Sequence, residues 1–539
     1  MRLADGRLRA TVAIFGLAAA GVAVAGAVID PAESGRAVAA TEAPLLTVRR
    51  TAETLRVAIG RQRLAAALDV VLSSPTFADA RSRSCLVARV DGGTVYVDGG
   101  DRPVIPASTL KVLTAATALS LIPPGERFVT EARAGAAPVN GVITGDLWLV
   151  GGGDPLLETP DYSSTQDHSP EIATDVSKLA DKIVAAGVTR ITGGVVGDDR
   201  RYDDARTVKT WKRQYLASGE VGPIGALSIN DNFTIKNARG RRTGAVDPPR
   251  DAAAEFAALL AERGVTVGSD ARGATPSDPA AAAAASNVVA TIESQPIETV
   301  VQEVLVWSDN TAAEMLLKEV GFRSTNQQGT AASGVAAVKA FAATRSKAPY
   351  AAVDGSGLDR SDQVTCSLLV DVLSGEEPGG PLERALPVMG ESGTLRRRLR
   401  GEAASGKVRA KTGSLNGVSS LAGFADTGGA SRAVFAFVGN GLASTATASR
   451  SAISSPSNWS GFPTPLRSKR WACHERSVRR RCARLRSRRA ATADVPARFR
   501  PVSRDRPPVA GLRTPVPRDD RRLPRWRSLV RCRPDRART

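Results

Sequence analysis

The sequence predicts a chain of the α/β class, α+β in type: an antiparallel sheet flanked by helices and interrupted by a mixed α/β insert. Three observations carry this reading. Residues 408–413, 419–424 and 433–438 alternate as three strands of one antiparallel sheet. Helical patterning precedes them over 297–308, 311–320 and 362–374. Between about 127 and 290 the character changes, with short β-like runs separated by Gly-, Asp- and Pro-rich turns.

Taken in order, residues 1–29 carry Arg2, Arg7 and Arg9 and then a small-apolar run from Ala10 to Ile29. Ala23-Val24-Ala25 and Ala25-Gly26-Ala27 are small-x-small cleavage candidates, so the segment reads as an export signal, with an uncleaved membrane anchor as the alternative. Residues 30–50 read as a linker and 52–72 as a helix. Residues 85–90 and 94–97 form a hairpin around Gly92-Gly93. Pro106 cannot continue a strand, and Ser108 reads as the N-cap of a helix that Leu110, Leu113 and Leu121 turn toward a core. In the insert, 145–150, 191–196 and 226–230 are the expected strands and 172–187 and 251–264 the expected helices. The Ala- and Pro-rich stretch 275–288 leads out of it.

The formal net charge of +19 would suggest a polyanion partner until it is located. Residues 446–539 hold 26 basic side chains, one of them Lys, against 6 acidic ones, which leaves the preceding body at −1. Basicity is therefore a property of the tail. The tail lacks apolar periodicity and interleaved aromatics, so no nucleic-acid partner is expected, although a binder of anionic polymers is the non-enzymatic alternative. Its Arg/Pro-rich composition reads as disordered or as a shifted reading frame through GC-rich DNA. If the frame is shifted there, a closing helix would be missing and the sheet's outer face left bare.

His168 and His474 are the two histidines of the chain. A Ser-His-Asp hydrolase would have to use His168, and no G-x-S-x-G elbow accompanies it. A histidine-rich zinc site is implausible for the same reason, and no metal or cofactor is expected. Cys85 and Cys366 read most simply as buried thiols, with a bridge between them as the alternative; Cys473, Cys482 and Cys532 lie in the tail.

On a helix, Ser108 and Lys111 share a face, which offers a nucleophile with a base attached. Ser308-Asp309-Asn310 follows between two helices, and Lys411-Thr412-Gly413 lies on a strand. Each motif alone is weak. In this order and context they form a strong signal. The chain resembles the penicillin-binding serine D,D-peptidases, and within them the class C low-molecular-mass group of D-alanyl-D-alanine carboxypeptidases and endopeptidases. The 200 positions from Ser108 to Ser308 point to that group, whose extra domains fall in this gap. Asp354-Gly-Ser-Gly357 and Gly393-Thr-Leu395 look like its secondary motifs.

The resemblance implies a β-lactamase/transpeptidase-like peptidase domain in two parts, 51–126 and 291–445, around an inserted region at 127–290. It implies that Ser108 attacks the penultimate D-alanine carbonyl of a peptidoglycan stem peptide while Lys111 takes its proton. Ser308 would relay that proton to the leaving amine, and Asn310 would hold the substrate amide and Lys111. Lys411, Thr412, Gly413 and Ser414 would bind the substrate, with the amides of Ser108 and Ser414 as oxyanion hole. β-Lactams would be covalent inhibitors. The enzyme would be exported, touching membrane only through residues 10–29 if these stay uncleaved. The runner-up enzyme is a class A-like serine β-lactamase, but residues 311–410 contain no Glu-x-x-Leu-Asn string for its deacylating glutamate.

Overall fold

The computed structural model describes residues 48–443 except 76, 165–171, 236–241, 281–284 and 428–430. The expected signal segment 1–29, nearly all of the linker 30–50 and the tail 446–539 lie outside the described residues, as do both histidines and Cys473, Cys482 and Cys532.

Helix α1 (Val48–Leu72) leads into the hairpin β1 (Cys85–Val90) and β2 (Gly93–Asp98). A 3-10 turn, Ala107–Leu110, runs into α2 (Lys111–Leu121). The insert then supplies β3 (Val129–Ala134), β4 (Leu147–Val150), α3 (Ser177–Ala185), β5 (Val195–Asp198), α4 (Pro248–Glu262), β6 (Arg272–Gly273) and β7 (Asn287–Glu293). After it come α5 (Ile297–Trp307), α6 (Asn310–Thr325), α7 (Ala331–Arg345) and α8 (Cys366–Ser374). The strands β8 (Val408–Leu415), β9 (Val418–Asp426) and β10 (Arg432–Asn440) follow.

The main sheet has the order β8-β9-β10-β1-β2 and is antiparallel throughout. Its alternating side chains build two cores. Val87, Phe424, Val434, Ala436 and Val438 face inward onto Leu110, Leu113, Val300, Leu305 and Leu368. Leu86, Leu421, Phe435 and Phe437 face outward, where Leu64, Leu68 and Leu72 of α1 join Phe77 in one cluster. The outer face is thus not bare, contrary to the expectation from the tail. Each of these large side chains contributes about 1.5–3 kcal/mol by burial.

Cys85 and Cys366 are not free thiols but a disulfide that ties β1 to the first residue of α8. Both side chains enter the same inner core, and their Cα atoms stand 5.9 Å apart, within the range a bridge requires. Ser108 does not cap a helix; it lies within the 3-10 turn, where no side-chain cap bond forms and its hydroxyl meets Lys111. Leu121, at the end of α2, is 41% exposed rather than core.

The insert carries a mixed sheet, β6-β5-β4-β3-β7, in which β4, β5 and β6 are parallel and β3 runs antiparallel to both neighbours. Its core joins Leu147, Leu149 and Val195 to Leu179, Ile183, Phe256 and Leu260 of α3 and α4. The expected strand 191–196 is two strands in two sheets: Arg190–Ile191 pairs with Val142–Ile143 and Thr266–Val267, and after a bend β5 joins the mixed sheet. The expected strand 226–230 is a loop ending in Asn230, Asp231 and Asn232, whose φ values of 59, 55 and 54° are left-handed turn geometry that short polar side chains tolerate. The helix expected over 172–187 begins only at Ser177, since Thr174-Asp175 pairs as a short strand with Leu157-Glu158. Helix α7 escaped the sequence reading. Its Ala-rich face shows little apolar periodicity, although Thr330 and Ser333 form a capping box at its start. It packs closely on α6, where a Cβ at Gly321 would sit 2.7 Å from the Gly334 amide.

Candidate active site

The turn bearing Ser108 is held in an unusual shape. Ala107 has φ of 49°, a left-handed conformation that costs an alanine about 1–2 kcal/mol. The surroundings over-determine it: the Pro106 carbonyl accepts from Thr109 Oγ1 and from Ser420 Oγ, each at 2.7 Å. Gly357, with φ of 79°, lies against the Ala107 carbonyl, where a Cβ would come within 2.0 Å.

Lys111, the first residue of α2, is fully buried. Its Nζ stands 3.2 Å from Ser108 Oγ, 2.7 Å from Asn310 Oδ1 and 2.8 Å from the Ser356 carbonyl. Burial pushes the amine down to about 8, opposed by the charges of Glu314, Asp354 and Asp309. Asn310 opens α6, whose N-cap is Asp309, accepting from the Ala312 amide at 2.9 Å. The other half of the Asn310 carboxamide donates from Nδ2 to the Glu220 carbonyl of the insert at 2.7 Å. Ser308 caps α5 with φ of 65° and so turns the chain between the two helices, two positions before Asn310.

From the opposite side, β8 brings Lys411, Thr412, Gly413 and Ser414. Lys411 is buried and donates to the Thr412 carbonyl at 2.9 Å; burial, with Lys111 and Arg398 nearby, holds its amine well below its ordinary value. Thr412 Oγ1 donates to Thr394 Oγ1 at 3.0 Å, which ties the strand to the Gly393–Leu395 turn. Gly413 presses against the turn that bears Ser108, since a Cβ there would lie 2.9 Å from both the Pro106 carbonyl and the Ser108 amide. Ser414, next along the strand, is exposed.

The fold therefore brings Ser108, Lys111 and Asn310 into direct contact and sets Gly413 against the Ser108 backbone. The sequence reading missed Glu314, Ser420 and the Glu220 carbonyl. Glu314, one turn after Asn310 on α6, had a local signal; the other two meet the site only through tertiary packing.

The model of the D-Ala-D-Ala carboxypeptidase 3 (S13) family matches residues 64–250 and 241–459. The chain belongs to this family. A D-alanyl-D-alanine carboxypeptidase of an Actinomadura species is 30% identical over 451 residues, covering 69% of this chain and 80% of that protein. A carboxypeptidase of Mycobacterium tuberculosis is 30% identical over 390 residues, covering 70% and 79%. Among solved structures, penicillin-binding protein 4 of Haemophilus influenzae shares the fold of this family member, with a TM-score of 0.57 and 21% identity over 68% of this chain and 93% of that one.

Proposed function

We propose that this D-Ala-D-Ala carboxypeptidase family member cleaves the terminal D-Ala–D-Ala bond of peptidoglycan stem peptides through a covalent acyl-enzyme on Ser108. One observation carries the assignment of roles: the partners of Lys111 Nζ. A neutral amine has two N–H donors and one lone pair. The Ser356 carbonyl can only accept. The Glu220 carbonyl likewise only accepts, so it turns the Asn310 NH2 toward itself and Oδ1 toward Lys111. The two N–H groups are thereby used, and the lone pair is left for the Ser108 hydroxyl. Lys111 then serves as general base, and its lowered proton affinity suits that task near neutral pH.

Acylation runs as a balanced transfer. Ser108 Oγ bonds to the penultimate D-alanine carbonyl carbon as its proton passes to Lys111. The C–N bond breaks, and the leaving D-alanine amine receives the proton through Ser308. Water then hydrolyses the ester and restores Ser108. The Ser108 and Ser414 amides stabilise the oxyanion, a role that the close approach of Gly413 to the Ser108 amide supports. Lys411, Thr412 and Ser414 hold the substrate carboxylate, and Asn310 its amide. At a cross-link, the same acyl-enzyme gives endopeptidase action.

Penicillin enters by the same chemistry and leaves a long-lived acyl group, because 311–410 lacks the deacylating glutamate context. The Cys85–Cys366 disulfide supports an exported, oxidising location. Residues 10–29 supply the signal or anchor, and no helix among the described residues is long and apolar enough to cross a membrane. Release of D-alanine from a muramyl pentapeptide tests the assignment, with Ser108→Ala as control. Absence of release by the parent protein, together with no fluorescent-penicillin label, would overturn it.

A further inference from the structure

Behind Lys111 lies a group of buried acids that the proposed mechanism does not use. Glu314 is 1% exposed and sits one helical turn after Asn310. Its Oε1 accepts from the Ser356 amide at 2.7 Å and from the Gly355 amide at 3.0 Å, and its Oε2 from the Gly355 amide at 3.1 Å. The Ser356 hydroxyl also donates to it. These are the amides of the same two residues whose next carbonyl, Ser356 C=O, receives Lys111 Nζ. Thr114 Oγ1, one turn along α2 from Lys111, donates to the Gly355 carbonyl at 2.9 Å, so the 355–356 backbone is pinned through its carbonyls as well as its amides.

The geometry points to Glu314 as a positioning residue of acylation: it holds the 355–356 backbone so that the Ser356 carbonyl occupies one Lys111 N–H and the amine's lone pair is left facing Ser108. The inference rests on the acyl-enzyme reading above and adds a residue to it. Without a firm acceptor at Ser356, an N–H can swing toward Ser108 Oγ, and the hydroxyl then accepts instead of donating.

Charge adds a second effect. Lys111 faces Asp309 and Glu314 from α6, Asp354 from the loop before α8 and Lys411 from β8. Glu314 faces Asp354, Lys318 and Tyr350. Burial and Asp354 raise its carboxyl above the ordinary range, while the amides oppose them. The Gly355 and Ser356 donors all suit the acceptor-only carboxylate, and that form is the one this pocket accommodates. Its negative charge increases the proton affinity of Lys111.

The test uses the full protein, with penicillin acylation followed as second-order rate constant against pH, beside the melting temperature. Glu314→Gln removes the charge and places an NH2 against backbone N–H groups. The expected result is a plateau lowered about tenfold and an acid limb moved to lower pH. Glu314→Asp keeps the charge and shortens the reach; its plateau should fall with the limb in place. It serves as the deciding variant if the glutamine form does not fold. A purely structural role would lower the melting temperature and the active fraction but leave both the limb and the plateau rate constant of the active fraction at the parent's values. An unmoved or upward-moved limb in Glu314→Gln overturns the inference, as does a parental plateau in Glu314→Asp. If the parent protein itself is not acylated at Ser108, it is the acyl-enzyme reading that fails, which separates the two.

Discussion

Lys111 Nζ donates to Asn310 Oδ1 at 2.7 Å across 199 positions of sequence, and the Asn310 amide is itself turned by the Glu220 carbonyl of the insert. The insert thus reaches Lys111 through a single carboxamide. It also reaches the Asp354–Gly357 loop, where Trp211 Nε1 donates to the buried Asp354 carboxylate at 2.8 Å. The insert is a structural part of the site as well as a neighbour of it.

Asn310→Asp tests that relay. A carboxylate has no donor for the Glu220 carbonyl and adds negative charge beside Lys111. Acylation by penicillin should fall about 10- to 100-fold, and its acid limb should move to higher pH because the amine holds its proton longer. A pH series of stopped-flow acylation rates checks both effects, and an unchanged limb would remove Asn310 from the relay.

Gly413→Ala should impair acylation without unfolding the protein. The added methyl would meet Ser420 Oγ at 2.2 Å and the Ser108 amide and Pro106 carbonyl at 2.9 Å. The Ser420 side chain can give way, but the turn's backbone cannot, so β8 must retreat from the nucleophile. The expected loss is about tenfold or more in fluorescent-penicillin labelling rate, with a melting temperature within a few degrees of the parent's.

The pH dependence of the parent enzyme follows from Lys111. Its amine must be neutral to accept the Ser108 proton, and burial lowers its value to about 8. Below that value the amine is protonated and the lone pair is absent. Acylation should therefore be slow at acid pH and rise as pH increases through about 8. A rate that falls over that interval would contradict the base assignment.

Removing the disulfide by replacing Cys85 and Cys366 with alanine should lower stability by about 2–5 kcal/mol. The bridge closes a loop of 281 positions and stands in the inner core beside α2. Denaturant unfolding of the variant and parent measures the difference; a loss below about 1 kcal/mol would mean that packing alone holds β1 on α8.

Much of the site was legible because its chemistry is written in local patterns. Ser108 and Lys111 stand one helical turn apart, Ser308 and Asn310 flank a helix cap, and Lys411-Thr412-Gly413 interrupts an alternating strand; each spacing survives without knowledge of the fold. The strands of 408–438 and the helix after Asn310 were legible for the same reason, since apolar periodicity is a property of neighbouring residues. Helix α7 was not, because alanine and glycine let it pack closely without an apolar stripe. What only the tertiary structure decided is which distant pieces meet. It paired β10 with β1, joined Cys85 to Cys366, and set Glu314 and the Glu220 carbonyl behind Ser108 and Lys111. These contacts are selected by burial and hydrogen-bond satisfaction across hundreds of residues, and a single sequence carries no local mark of such partners.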